Sequence, residues 1–338
     1  MPARTPGAAP GQPEGRRRTV LKALGAAAAM PLAAAVLAQK PAFGERPVRV
    51  IVPAPAGGPA DLLARVVAKR LAELLATPVV VDNKPGGASI PAAVEVMRAA
   101  PDGHTLFLGL NTTHTQVPHL YRKLPYDPLR DFTPVIQIYR SSSVLVAHPS
   151  VESKDLVELV ARGRTEALPF ASASVGTSGH LYIEMLNQQR GTRFVHVPYK
   201  GSADATRDLL GGTVKLLFDS PTTAIAHVKA GRLKALAVTG ADRLPALPAV
   251  ATAREQGFAE LEIVNWMGVF GPANLPAPVV ERLNGDIAQT VNAPEFRAQF
   301  EPLGVQITAT SAGAFAAIVR TDHESWGRLI RSIDLKLD

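Results

Sequence analysis

The chain has 338 residues, of which 46% are hydrophobic and 19% are charged, and its formal net charge is +7. This composition is typical of a soluble globular protein with room for two domains, and it excludes a disordered or fibrous chain. Residues 1–38 hold a net charge of +4, which leaves +3 for the remainder, where no basic run interleaved with aromatic residues occurs. A nucleic-acid partner is therefore not expected.

Residues 1–38 have the pattern of an export signal. A basic run ending at Lys22 precedes the alanine-rich stretch 23–35, and small residues precede a cleavage site after Ala38. The apolar stretch is too short and too rich in alanine for a membrane-spanning helix. Because Arg17-Arg18 also resembles a twin-arginine signal, both Sec and twin-arginine export stay open. The chain has no cysteine, so a lipid anchor on cysteine is excluded, and the mature protein is predicted to be free in the periplasm.

Strands and helices alternate along the predicted mature chain. Short apolar runs predict strands at 48–52, 78–81, 105–110, 168–171, 192–197, 214–218, 233–239, 267–271 and 305–308, with one or two extended segments in 135–148. Apolar residues at helical spacing predict helices at 60–76, 90–100, 156–164, 178–190, 203–210, 221–230, 278–291, 294–303 and 312–331. This alternation is typical of an α/β fold with helices on both faces of a parallel sheet.

Four of these strands are followed by turns rich in glycine or hydroxyl residues, at 53–61, 108–116, 171–180 and 218–223. In open α/β sheets, ligands bind where such turns gather at the carboxyl ends of the strands. The first turn, PAPAGGPAD, lacks the ending of a P-loop and the third glycine of a dinucleotide fingerprint. Its backbone N–H groups at a helix start favour an anion instead.

Each turn also has an ordinary structural interpretation, which the sequence leaves open. The glycine pair at 57–58 suits any tight turn. Ser178 and Asp219 are common residue types for helix caps, and Asp61 would complement a helix dipole.

The sequence gives little support for catalysis or for a metal centre. Residues 176–180 do not match the Gly-x-Ser-x-Gly pattern of a nucleophile elbow. The eight histidines are scattered, without a pair at the spacing i, i+4 or a carboxylate-rich cluster. We therefore expect no enzyme, no metal and no cofactor, and a hydrolase using Ser178 and His180 is the less favoured alternative.

The motifs of the chain, in their order, closely resemble the Bug or TctC-like family, the extracytoplasmic solute receptors of tripartite tricarboxylate transport systems. Among them are RVIVPAPAGGPAD, APDGHTLFLG, VHVPYKG, DLLGGTVKLLFDS and WMGVFGPANLPAPVVERLN. The resemblance implies a two-lobed periplasmic binding protein of the type II, Venus-flytrap kind, with a mixed, mainly parallel sheet in each lobe. It places residues 39–141 and 265–338 in lobe 1 and residues 142–264 in lobe 2.

The resemblance also implies a site between the lobes, in which backbone amides and ordered waters hold a ligand carboxylate. Carried onto this sequence, the ligand-binding positions are Ala56, Gly57, Gly58, Asp61, Thr112, Thr113, His114, Ser174, Gly176, Thr177, Ser178, His180 and Asp219. The chain departs from the family at Ala54, where an aromatic residue is usual, and at Pro59 and Ala60, where hydroxyl residues are frequent. These departures favour a roomier pocket for a bulkier or aromatic carboxylate.

The implied partners are a small-molecule carboxylate and the membrane subunits of a tripartite tricarboxylate transporter. A co-receptor that presents its ligand to a membrane sensor kinase has the same fold and stays open as the alternative. We expect the protein to act as a monomer.

Overall fold

The structure is a computed structural model that describes residues 1–5, 7, 43–44 and 46–337. Apart from residues 1–5 and 7, the predicted export signal lies outside the described residues. Within the described part of the chain, no helix combines the length and the hydrophobicity that crossing a membrane requires.

The strands form two sheets. The six-stranded sheet has the order β11-β4-β10-β3-β1-β2 and contains β1 (Val48–Val52), β2 (Val79–Asn83), β3 (Thr105–Leu110), β4 (Phe132–Ser141), β10 (Asn265–Pro272) and β11 (Gln306–Ile307). The five-stranded sheet has the order β7-β6-β8-β5-β9 and contains β5 (Val144–Ala147), β6 (Pro169–Ser172), β7 (Val195–Pro198), β8 (Leu216–Asp219) and β9 (Lys234–Val238). The first sheet thus combines both ends of the folded chain, and the second takes its middle.

Both sheets are mixed, as expected for the two-lobed α/β fold. In the first sheet β1 lies parallel to β2 and β3, whereas β10 runs antiparallel to β3 and β4. In the second sheet β6 lies parallel to β7 and β8, whereas β5 runs antiparallel to β8 and β9. The polar turns follow the carboxyl ends of β1, β3, β6 and β8. Each of these strands belongs to a parallel pair, and a parallel pair needs a crossover connection that returns the chain.

Ten α-helices are described. They are α1 (Pro59–Leu75), α2 (Ile90–Met97), α3 (Val117–Leu120), α4 (Leu156–Gly163), α5 (Ser178–Arg190), α6 (Ser202–Leu210), α7 (Pro221–Lys229), α8 (Ala277–Asn292), α9 (Pro294–Phe300) and α10 (Ala312–Ser332). Pro59 opens α1 at a position that needs no N–H donor, and Gly191 ends α5 in the left-handed conformation that glycine tolerates.

The C-terminal helix α10 contributes to two hydrophobic cores. Near its start, Phe315 packs with Phe107 and Phe270 on one face of the six-stranded sheet. Further along, Trp326 and Ile330 lie in the core of the five-stranded sheet. The strands follow the predicted lobe division, and the lobe boundaries themselves stay a prediction.

Two of the differences from the predicted elements lie beside the polar turns. Asn83, which lies beyond the predicted strand 78–81, is the last residue of β2, where it pairs with Val52 of β1. The turn after β3 is not an open loop, because residues Thr112–Gln116 form a π-helical turn that continues into α3. This turn is buried against α10, a contact that periodicity within the segment does not reveal.

Candidate functional site

The turn between β1 and α1 is held by hydrogen bonds to its own helix. The Gly58 N–H donates to the Pro55 carbonyl at 3.4 Å, and Gly57 has a φ of 81°, which favours glycine. The Gly57 N–H donates to the Asp61 carboxylate at 2.8 Å. Asp61, on the first turn of α1, therefore closes the loop that precedes it.

Asp61 also forms an ion pair with Arg65. Arg65 Nε donates at 2.9 Å to the same carboxylate oxygen that accepts from Gly57. Asp61 is 2% exposed. Burial raises its pKa, but hydrogen bonds from Arg65 and Gly57 outweigh burial, so the pKa lies below its usual range. Asp61 is thus ionised at neutral pH and offsets part of the positive end of the α1 dipole.

The turn between β6 and α5 repeats this geometry in the other sheet. The Thr177 N–H donates to the Ser174 carbonyl at 3.4 Å, and Gly176 has a φ of 79°. The Gly176 N–H donates to His180 Nδ1 at 3.1 Å. In both turns a left-handed glycine donates to the side chain four residues later. We call these two segments, residues 55–61 and 174–180, the glycine turns.

The acceptor in the second glycine turn is a neutral imidazole. The His180 ring stacks on the His196 ring with centroids 3.9 Å apart, and His196 Nε2 lies 2.6 Å from Ser172 Oγ. Burial, together with the neighbouring His196, lowers the pKa of His180 to about 4. Burial likewise lowers the pKa of His196 to about 4. Both rings are therefore uncharged at neutral pH.

A buried polar network joins the second glycine turn to the six-stranded sheet. Ser178 Oγ donates to Asn265 Oδ1 at 2.7 Å and accepts from Gln116 Nε2 at 2.8 Å. Asn111 Nδ2 donates to the same Asn265 oxygen at 3.2 Å, and Asn265 Nδ2 donates to Ser143 Oγ at 3.0 Å. Ser178 is thus anchored at the segment where the chain crosses between the sheets.

The sequence interpretation missed Asn265 and Gln116. Asn265 is a polar residue directly before the aromatic and apolar run of β10, and such a position is the only local signal for it. Its partners are 87 and 154 residues away along the chain. No local pattern indicates contacts of that range.

The third predicted loop is packed differently from the glycine turns. Thr112, Thr113 and His114 are all buried. The His114 ring stacks on Phe270 with centroids 3.9 Å apart, and burial lowers its pKa to about 3. This environment favours a packing role for His114, and its assignment as a ligand contact stays a prediction.

Asp219 ends β8 and is 2% exposed. Its carboxylate accepts from Thr206 Oγ1 at 3.0 Å and from the Ser220 N–H at 2.8 Å. Burial raises its pKa to about 6, against the lowering effect of these hydrogen bonds. Asp219 also interacts electrostatically with the buried Tyr139 of β4. The pKa of Tyr139 is raised by burial and by the charge of Asp219.

The first glycine turn meets the five-stranded sheet at the loop before α6. A Cβ on Gly201 would lie 3.1 Å from Cγ of Pro55. The structure thus brings the strand ends of the two sheets together through three sets of residues. These are Pro55 with Gly201, Tyr139 with Asp219, and the network around Asn265. Within the described residues, no group of three or more metal-ligating side chains comes together.

The family model described as the tripartite tricarboxylate transporter family receptor matches residues 63–335. The chain belongs to this family. The family expected from the sequence motifs is therefore confirmed, and its members are binding proteins. A curated relative from Pseudomonas sp. strain P51, named a UPF0065 protein in the tcbD-tcbE intergenic region, is 36% identical over 94% of each chain.

Two solved structures share the fold over nearly their whole length. The Rhodopseudomonas palustris protein Rpa4515 with adipate is 30% identical, with a TM-score of 0.82, over 87% of this chain and 99% of its own. MatC from Rhodopseudomonas palustris with bound malate is also 30% identical, with a TM-score of 0.81, over 85% of this chain and 100% of its own.

Proposed function

We propose that the protein is a periplasmic solute-binding protein that captures a small organic acid between its two lobes and delivers it to a tripartite tricarboxylate-type transporter. The carrying observation is the pair of glycine turns, one from each sheet, at strand ends that the structure brings together. The bound adipate and malate of the two similar proteins support a carboxylate as the ligand class.

The ligand carboxylate would be held by main-chain donors. The first N–H groups of α5, and those of α1 after Pro59, have no intrahelical acceptor. Each helix start therefore offers oriented donors and a partial positive charge. Arg65 is already engaged by Asp61, so the neutralisation of a ligand at this turn would come from the backbone and not from that guanidinium. Such a site avoids burying an unpaired cation.

The two lobes would close on the ligand as a population shift. A ligand that touches both glycine turns binds the closed arrangement better, and only that difference in affinity drives closure. We place the lobe boundaries at residues 141–143 and 263–265, where the chain passes between the two sheets.

The side chains of the second turn support binding over hydrolysis. Ser178 Oγ is hydrogen bonded to Asn265 and Gln116, and His180 Nδ1 accepts from the Gly176 N–H. A serine nucleophile needs a base within hydrogen-bond reach of its hydroxyl. The partners of Ser178 are both amides, which are not bases.

A thermal-shift screen of mono- and dicarboxylates, with malate and adipate included, tests the function. We expect the melting temperature to rise with at least one of them, because a ligand that binds only the folded state stabilises it. Gly57→Val should abolish this rise, because a β-branched residue does not tolerate the left-handed φ of the turn.

Gly191→Val is the matched control. Gly191 also has a positive φ, of 70°, and open space around its missing Cβ, but it ends α5 away from the strand ends. Both variants should lose similar stability, and only Gly57→Val should lose the ligand response. An unchanged response in Gly57→Val, or an equal loss in both variants, would contradict the role of the first glycine turn.

A further inference from the structure

A cavity lies beside the segment that leads into β10. Its volume is about 530 Å³, and its walls come from α10, from β4 and from the segment that leads into β10. None of the ligand positions predicted from the sequence lines it. Trp266 faces this cavity, whereas its neighbour Asn265 faces the polar network. Successive side chains of a strand point to opposite faces, so the side chains of Trp266 and Asn265 lie on opposite faces of β10.

The cavity wall is mainly apolar. The indoles of Trp266 and Trp326 line it together with Ile263 and Ile318. Pockets of roughly 300–1,000 Å³ with such a lining and a few polar groups are typical of small-molecule sites. The cavity therefore has the size and the surface for a compact ligand with an apolar body.

The acidic groups of the wall are already engaged. Trp266 Nε1 donates to Asp322 Oδ2 at 2.7 Å. Glu262 forms an ion pair with Arg254. Neither carboxylate thus needs a cationic ligand.

Arg140 is the cationic group of the wall. Its side chain on β4 is exposed, and it interacts electrostatically with Asp322. The ion pairs of the described residues, all within 4.0 Å, do not include Arg140. Its guanidinium therefore keeps hydrogen-bond donors for a ligand. A guanidinium binds a carboxylate through two parallel hydrogen bonds.

We propose that this cavity is a second ligand site, for a small carboxylate with an aromatic or branched apolar body. The carboxylate binds Arg140 at the mouth, and the apolar body lies against the apolar part of the wall, which includes both tryptophans. None of its wall residues is among the positions predicted for the strand-end site, and the occupant differs from a short dicarboxylate in needing only one charged group.

The two tryptophans make the site directly observable. The chain contains two tryptophans in total, and both line the cavity. In a nitrogen-15 NMR spectrum of the full chain, their indole N–H signals report on this cavity. With 3-phenylpropionate as the probe, we expect both signals to shift in a saturable way. Indole signals that stay unshifted up to the solubility limit of the probe would overturn the proposal.

Two variants test the assigned roles. Arg140→Gln removes the charge and should weaken the affinity for 3-phenylpropionate about tenfold, as expected for the loss of hydrogen bonds to a charged group. Ser325→Phe, at an exposed position of the cavity wall, should fill the space and abolish the shifts.

The two control positions lie on α10, the helix that carries Ser325, but outside the cavity wall. Arg320→Gln and Ser332→Phe are also at exposed positions of α10, and they should leave the affinity for the probe unchanged. Equal affinities in Arg140→Gln and Arg320→Gln would refute the carboxylate contact. Gly57→Val should still bind the probe, so a failure of the strand-end function and a failure of this site are distinguishable.

Discussion

The two glycine turns have the same backbone but different acceptors. In each, a left-handed glycine donates its N–H to the third residue of the following helix. The acceptor is a charged carboxylate at Asp61, with Arg65 beside it, and a neutral imidazole at His180. A carboxylate on the first turn offsets the positive helix end, whereas a neutral ring leaves it available. The comparison indicates that α5 presents the stronger field to an anion, although both turns have the same pattern of hydrogen bonds.

The largest expected difference between the turns is their response to acid. His180 has a folded pKa of about 4 against an ordinary value of 6.5. Its contribution to stability is therefore complete above pH 6.5 and is lost as the pH falls towards 4. At about 1.36 kcal/mol per pKa unit, the loss between pH 7 and pH 4 is about 3 kcal/mol. His196 and Glu184, which face the ring, share in this titration.

Urea unfolding of the wild type and of His180→Asn at pH 7 and pH 4 measures this effect. The variant should lose less stability on acidification, because it lacks the His180 ring, whereas the buried His114 and His119 titrate equally in both proteins. The Gly57 amide should stay protected from exchange at pH 4, where the Gly176 amide loses protection. The pKa of Asp61 is depressed, so its contribution is lost only when the pH falls through that lower value. If the Gly57 and Gly176 amides lost exchange protection at the same pH, the two turns would not differ in their response to acid.

The next largest effect concerns the acceptor of the first turn. Asp61→Ala should lower the free energy of unfolding at pH 7 by about 2–3 kcal/mol, because it removes a hydrogen bond to a charged group and leaves the Gly57 N–H without its acceptor. Asp61→Asn keeps an oxygen acceptor and should lose less. Equal losses in the two variants, measured by urea unfolding, would show that the carboxylate does not close the turn.

The smallest predicted effect concerns a change of the acceptor in the second glycine turn. His180→Asp places a carboxylate in the second turn, as in the first, and should weaken carboxylate binding about fivefold through the altered field at the start of α5. His180→Asn has a similar size without the charge and should weaken binding less. Calorimetric titration with whichever acid passes the thermal-shift screen compares them. Equal affinities in the two variants would exclude an electrostatic difference between the turns.

Local sequence patterns predicted much of the fold. The bounds of β1, β3 and α5 agree with the apolar run or helical spacing from which each was predicted. The left-handed Gly57 and Gly176 also lie in turns that the sequence shows to be rich in glycine or hydroxyl residues. These features depend on residues within one element, so periodicity and turn chemistry are sufficient to indicate them.

The candidate site was predicted in part. The sequence located both glycine turns, but the acceptor role of His180 depends on its burial beside His196, which lies on another strand. His114 appeared as a polar residue in a loop, yet it stacks on Phe270, 156 positions further along. Asn265 showed no local signal for the bonds that it forms with Asn111, Ser143 and Ser178.

The sequence by itself thus determined the order of strands and helices, the glycine turns and the family to which the chain belongs. The tertiary structure alone decided which polar groups are already paired, where α10 joins two cores, and that both tryptophans line one cavity. The reason is that hydrogen bonds and burial between distant segments depend on the packing of whole elements. A residue's neighbours along the chain fix its local conformation, but they do not reveal which groups it meets in space.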